Sequence, residues 1–408
     1  MHWKGEKMEK AKQQKRKAKK YRKSTPDFVL MGLIILLVAF GVIMVYSASF
    51  DYATTRDQSA FYFAKKQLLL GLVGIAAMLW ITFRFDYRIC TNRTLVGIFY
   101  VMSVVLAISV KFIGKEVYGA KRWIQIGGIQ FQPSELVKLA VILMVTSYII
   151  RHRQTMNRIK TRIGAWTLVV IPAGIVTVLG SNLSSGIVIL GIGAMIIFAA
   201  SPRIWYYFAG VFLGIILVIG VRQLAAHTPQ GEDTNIPIVK TILPSYRIDR
   251  IRAWIDPFTD PLNDGYQPIQ ALYAVGSGGL FGKGLSRGVQ KLGFMPEPHN
   301  DIIFAVICEE LGLVGAFVLM FIYGVVVIRG MRVAMRAPDY AGAFIAIGIT
   351  SMIGIQAIIN IAVNTNTIPT TGMQLPLISY GGTALGVLLA TLGILLNISR
   401  YSSIEKLS

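Results

Sequence analysis

Long uninterrupted apolar runs constrain this chain more than any other feature of its sequence. They fall near 27–49, 67–84, 94–111, 135–150, 164–180, 186–201, 204–222, 302–328, 341–363 and 377–398. A helix rises 1.5 Å per residue, so about 17–25 such residues cross the ~30 Å of hydrocarbon in a bilayer. The expected fold is all-α, a polytopic membrane protein of about ten transmembrane helices. A long extracytoplasmic loop, 223–301, is expected between helices 7 and 8. The expected organisation is a basic cytoplasmic tail over 1–26, a ten-helix membrane domain over 27–398 and a short cytoplasmic tail over 399–408. Composition agrees, with 54% of residues hydrophobic and 15% charged. The first run is too long for a signal-peptide core and no small-residue cleavage site follows it, so it is expected to stay as an anchor.

The formal net charge of +21 invites a nucleic-acid partner, and topology argues against one. Lys and Arg gather in 1–26, 151–163 and 329–340, segments that share one side of the membrane if both termini are cytoplasmic. That asymmetry is the positive-inside rule, and the charge excess mostly reports orientation in a cytoplasmic membrane. Residues 1–25 carry Lys4, Lys7, Lys10, Lys15, Arg16, Arg22 and further lysines. They suit attraction to anionic membrane lipids, at roughly 1 kcal/mol per basic residue near the surface, or docking of a cytoplasmic partner. Cys90 at a cytoplasmic turn and Cys308 inside a span lie too far apart for a disulfide or CxxC site. The four histidines are scattered, so no metal ligand set is expected.

Chemistry concentrates in the outer segments. Asp301 ends Pro296-Glu297-Pro298-His299-Asn300-Asp301, directly before an apolar span. It can cap that helix, and it can also take a proton from a sugar hydroxyl if it faces a cavity. In FQPSELVK (131–138), Pro133 suits a first helical turn and Ser134 can cap nearby amides. Glu135 and Lys138 sit at i,i+3 on one helix face, where they can neutralise each other or position substrate. Glu309 and Glu310 lie two turns into the eighth span, and by helical geometry at least one faces the bundle interior. Lys121 and Arg122 flank Trp123, and Arg247, Arg250 and Arg252 precede Trp254. Such groups anchor helices at the interface, or they hold phosphate, for which Arg is well shaped. The glycine cluster at 275–288 has no preceding strand, so tight turns and close backbone approach to a ligand are expected there instead of nucleotide binding.

The motifs GAKRWIQIGGIQFQPSELVK (119–138), YRIDRIRAWIDPFTDPLNDGYQPIQAL (246–272), VGSGGLFGKGLSRGVQKLGFMPEPHNDIIFAVICEELG (275–312) and PLISYGG (376–382) occur in one order along the chain. Together they resemble the SEDS family of FtsW, RodA and SpoVE proteins, from about residue 27 to residue 398. The QKLGFMPEPHND segment is nearer to FtsW and SpoVE than to RodA. The resemblance implies a ten-span peptidoglycan glycosyltransferase that polymerises lipid II on the outer face of the membrane. It implies as partners lipid II, the nascent lipid-linked glycan and a class B penicillin-binding protein. It places the essential aspartate on Asp301 and the cavity Glu and Lys on Glu135 and Lys138. Substrate binding is then expected from Lys121, Arg122, Trp123, Gln132, Ser134, Glu135, Lys138, Arg247, Arg250, Gln267, Gln270, Glu297, His299, Ser379 and Tyr380. Two positions depart from the family pattern: Asn182 stands where an aspartate is usual, and Asn300 where a threonine is.

The expected reaction is an inverting transfer with Asp301 as general base, and Arg122, Arg247 and Arg250 offsetting charge on the departing pyrophosphate. No carboxylate nucleophile is needed in a single displacement. No cofactor is required, although a divalent cation, Mg or Mn, can share the neutralisation. The rival readings are a lipid II flippase and a non-enzymatic scaffold for septal or spore cell-wall proteins, because fold alone does not decide function. No inverted repeat relates the two halves of the chain, which weighs against a carrier.

Overall fold

The computed structural model of the chain describes residues 24–401, apart from 118–119, 127–128 and most of 202–244. About half of the expected seventh span, most of the start of the long loop and nearly all of both tails therefore lie outside the described residues. Eight described helices are long and apolar enough to cross a membrane. They are α1 (Phe28–Thr54), α2 (Tyr62–Arg84), α3 (Arg93–Ile113), α4 (Pro133–Arg151), α5 (Ile159–Val178), α6 (Leu183–Ala200), α9 (Ile303–Met335) and α10 (Tyr340–Asn364). A ninth, α11 (Thr383–Ser399), is apolar but shorter. Between α6 and α9 lie two short helices, α7 (Ser245–Ile255) and α8 (Tyr266–Ser277). The chain is a multi-pass membrane protein.

Helix ends follow local chemistry. Asp27 caps α1 by accepting from the Leu30 amide at 3.0 Å, and Pro133 opens α4 where its missing N–H costs nothing. The expected tenth span began at 377, but helix starts only at 383. Pro376–Gly382 is spent in turns, with Leu377 and Gly382 both at positive φ. The segment 112–134, between the third and fourth expected spans, holds a three-stranded antiparallel sheet. Its strands are β1 (Lys115–Val117), β2 (Ala120–Ile126) and β3 (Ile129–Phe131), and Ile124 lies opposite Phe131. This sheet is the local exception to an otherwise all-α architecture.

Burial sorts the helices into centre and rim. About two-thirds of the apolar stretch of α4 is buried (67%) and 61% of that of α10, against 22% for α3, whose remaining face suits lipid. Helix α11 packs chiefly on α2, and α9 on α10. The central helices carry Glu135, on α4, and Gln356, Asn360 and Asn364, on α10.

Helix α9 breaks at Gly312 (φ 68°, ψ −169°). The glycine segment of the long loop fills the break, so the freed backbone groups find partners, as groups away from water must. Lys283 and Gly284 amides donate to the Glu309 and Glu310 carbonyls at 3.0 and 2.9 Å, and Leu313 and Val314 amides donate to Gly279 and Leu280 carbonyls at 2.9 and 3.0 Å. A Cβ on Gly282 (φ 79°) would sit 2.2 Å from the Glu310 carbonyl oxygen, and one on Gly312 would sit 2.3 Å from the Gly282 nitrogen. The glycines thus serve an approach between two stretches of this chain, which corrects the expectation that they approach a ligand.

The two glutamates of α9 complete that junction. Glu309 pairs with Lys283 at 2.7 Å and accepts from the Val289 amide at 2.9 Å. Glu310 pairs with Lys291 and accepts from the Ser47 hydroxyl at 2.7 Å and the Ser286 amide at 3.1 Å. Both carboxylates are fully buried. Their work is to hold the loop against the helix.

Candidate active site

A cavity of about 310 Å³ opens at the loop-bearing end of the bundle. It is bounded by β2, the starts of α4 and α6, α7, α8, the segment before α9, the turns of 372–381 and the first turns of α11. Of the residues expected from the sequence, Arg122, Trp123, Gln132, Glu135, Arg250, Gln267, Glu297, Asp301 and Ser379 line it.

Asp301 sits two residues before α9 and keeps part of its surface toward the cavity. It does not cap that helix. The Ala305 amide is instead met by Asn364 Oδ1 of α10 at 3.1 Å, which leaves the Asp301 carboxylate to the cavity. Its main chain is pinned: Asn360 and Asn364 Nδ2 both donate to the Asp301 carbonyl, at 2.8 and 2.9 Å. Asn360 also donates to the Met373 carbonyl at 2.6 Å, tying Asp301 to the 372–381 turns. Burial pushes the Asp301 carboxyl above the usual carboxylate range; Arg250 and Arg122 pull it down, and Glu297 adds to the rise. A raised value makes the ionised form a stronger base.

Arg122 is fixed by donation from Nε to the Ser181 carbonyl at 3.0 Å. Burial and the like charge of Arg250 both lower its affinity for its proton. A Cβ on Gly372 (φ 70°) would lie 3.0 Å from an Arg122 guanidinium nitrogen and 3.7 Å from an Asp301 carboxylate oxygen. Glycine there keeps the space between base and cation open. Two guanidinium groups on one small cavity favour an anionic ligand.

The remaining candidates divide by what holds them. Glu135 lines the cavity and Lys138 lies fully buried behind it, joined at 2.7 Å. Ser134 is buried beside Asn182 Nδ2 at 3.5 Å and the Ser185 hydroxyl at 3.4 Å. Asn182 caps α6 by accepting from the Ser185 amide at 3.1 Å and also lines the cavity. The departure from aspartate therefore keeps a cap and loses a charge. Arg247 does not line the cavity; it is buried, bonded to the Tyr246 hydroxyl at 3.0 Å and the Thr177 carbonyl at 2.8 Å. It fastens α7 to the end of α5.

His299 and Tyr380 form a bracket beside the site. The Tyr380 amide donates to the His299 carbonyl at 2.9 Å, and the His299 ring packs among Tyr52, Phe63 and Tyr380. Burial, with Arg56 nearby, lowers the His299 imidazole to about 3, so it is neutral. Gln270 lies on α8 outside the lining. Lys121 stands on β2 opposite Glu116, and its side chain lies outside the described residues. Gln356, Gln374 and Ser185 line the cavity and were missed by sequence reasoning, and Asn300, noted there only as a family departure, lines it too. A stripe of amides at i, i+4 and i+8 in an apolar span (Gln356, Asn360, Asn364) was the available signal. Among the described residues no three His, Cys, Asp or Glu converge as metal ligands.

Comparison with known proteins agrees with this architecture. Residues 27–404 match the family described as cell cycle protein, FtsW/RodA/SpoVE. Stage V sporulation protein E of Bacillus subtilis is 38% identical, over 93% of this chain and 99% of its own. A probable peptidoglycan glycosyltransferase FtsW of Geobacter metallireducens is 35% identical, over 91% and 94%. A chain of a solved peptidoglycan synthase complex, described as coordinating polymerization and crosslinking, is 25% identical with a TM-score of 0.73, covering 93% of this chain and 99% of that one. The crystal structure of RodA from Thermus thermophilus shares the fold at 24% identity and a TM-score of 0.64, covering 93% and 98%. With the match running through every motif around the cavity, this chain belongs to the FtsW/RodA/SpoVE family.

Proposed function

We propose that this chain is a peptidoglycan glycosyltransferase that polymerises lipid II on the outer face of the cytoplasmic membrane, with both termini inside. The observation that carries the reading is the sharing of one cavity by Asp301, Arg122 and Arg250. The charge asymmetry of the chain supports an extracytoplasmic position for that end of the bundle. The relatives named as FtsW glycosyltransferases support the activity. The synthase-complex neighbour supports a class B penicillin-binding protein as the partner.

In this reading the 4-hydroxyl of the lipid II GlcNAc attacks the anomeric carbon of the growing lipid-linked chain. Its proton passes to the Asp301 carboxylate as the new C–O bond forms. The bond from the anomeric carbon to pyrophosphate breaks, and the electron pair leaves with undecaprenyl pyrophosphate. Arg122 and Arg250 stabilise that charge at fixed positions, an effect that often exceeds the ~10²–10⁴-fold of the base. Arg247 acts by seating α7, which carries Arg250. One displacement inverts the anomeric centre. Among the described residues no three His, Cys, Asp or Glu converge as ligands for Mg or Mn; a divalent cation bound with the pyrophosphate would share the neutralisation.

The cavity residues come from one end of the bundle, which favours surface chemistry over passage through the membrane. Lipid II supplied in detergent to the purified chain with its partner should yield β-linked glycan. Binding without polymer would return the reading to a carrier or scaffold.

A further inference from the structure

Gln356 lies on α10, one turn deeper than the Asn360 that anchors Asp301. It is 5% exposed and lines the cavity. Its neighbours on α10, Asn360 and Asn364, are engaged in holding the Asp301 carbonyl, and Gln374 Nε2 donates to the Tyr380 carbonyl at 3.0 Å. No hydrogen bond joins the Gln356 carboxamide to a described residue.

A carboxamide carries two N–H donors and a carbonyl acceptor. On a cavity wall its polar atoms meet water until a ligand displaces it, and a ligand that satisfies both halves is favoured over one that satisfies only one. Ionised pyrophosphate only accepts hydrogen bonds, so it would leave Gln356 Oε1 unmet. A secondary amide donates and accepts side by side, and it matches the carboxamide edge to edge. The same cavity has an apolar wall of Ala384, Leu385 and Leu388, which suits a methyl group. Resting on the glycosyltransferase reading, we propose that Gln356 is a specificity-determining contact whose carboxamide pairs with the 2-acetamido group of a bound aminosugar. The pyrophosphate is assigned to Arg122 and Arg250, whose charge suits it.

The test compares lipid II with lipid II lacking one N-acetyl group, prepared separately for each aminosugar, on the wild type, Gln356→Met and Gln356→Glu. The readout is the ratio of kcat/KM for the two substrates, which does not depend on the fraction of protein that is folded. The wild type should prefer acetylated lipid II by about tenfold or more at one of the two sugars, the worth of one good hydrogen-bonded contact. Both variants should lose most of that preference, while inhibition by undecaprenyl pyrophosphate stays within about twofold of the wild type. Retention of the preference in both variants, or an equal loss of inhibition by undecaprenyl pyrophosphate, overturns the assignment. If the wild type makes no polymer at all, the glycosyltransferase reading itself fails, and the assignment with it.

Discussion

Asn360 donates from Nδ2 to the main-chain carbonyl of Asp301 at 2.8 Å, linking the last turns of α10 to the residue at the head of α9. Asn364, one turn further on, repeats the contact at 2.9 Å and caps the α9 amide of Ala305. Asp301 thus owes its position to a neighbouring helix. Asn360→Leu should lower kcat by about 10–100-fold with KM for lipid II little changed, since small displacements of a base are costly. Initial rates at saturating and limiting lipid II separate the two parameters. Unchanged kcat would show that Asp301 holds its place without Asn360.

The raised carboxyl of Asp301 has consequences of opposite sign for stability and rate. Between the ordinary carboxylate value and the raised one, the folded chain keeps a proton that the unfolded chain has lost. Stability therefore falls as pH rises through that window, and at neutral pH the ionised group is a cost. Asp301→Asn should melt at the same or a higher temperature than the wild type at pH 7. Activity needs the ionised form, so kcat should decline as pH falls through the raised value. A pH series of melting curves and initial rates reads both.

The Lys291–Glu310 pair is fully buried on both sides. Lys291→Ala should destabilise the protein by about 3–5 kcal/mol, because it leaves a buried carboxylate uncompensated. The double change Lys291→Met with Glu310→Leu should recover much of that loss. Thermal unfolding in one detergent compares the three.

Asn182 meets the Ser185 amide as a helix cap. Asn182→Ala should cost about 1 kcal/mol, whereas Asn182→Asp keeps the cap and should be near neutral in stability. The melting temperatures of the two variants distinguish a capping role from a charge requirement.

The sequence showed the membrane helices because apolar length is a one-dimensional property. Glu135 and Lys138 were legible for the same reason, their pairing being set by i,i+3 spacing within one helix. The roles of Glu309 and Glu310 were not legible, because their partners Lys283 and Lys291 reach them only through the break at Gly312. Arg247 and Arg250 look alike in sequence, and three residues of helical rotation send one to the Thr177 carbonyl and the other to the cavity. Capping and proton transfer stayed open for Asp301 in the sequence because the α9 amide of Ala305 is met by Asn364, 59 residues away. Tertiary partners of this kind leave no local trace.

The most direct measurement is lipid II polymerisation by purified Asp301→Asn in complex with its class B partner, alongside its melting curve. The account predicts a folded protein whose polymerisation rate falls by at least about 10²-fold, the contribution expected of a general base. A folded Asp301→Asn protein that makes glycan at the wild-type rate would contradict it.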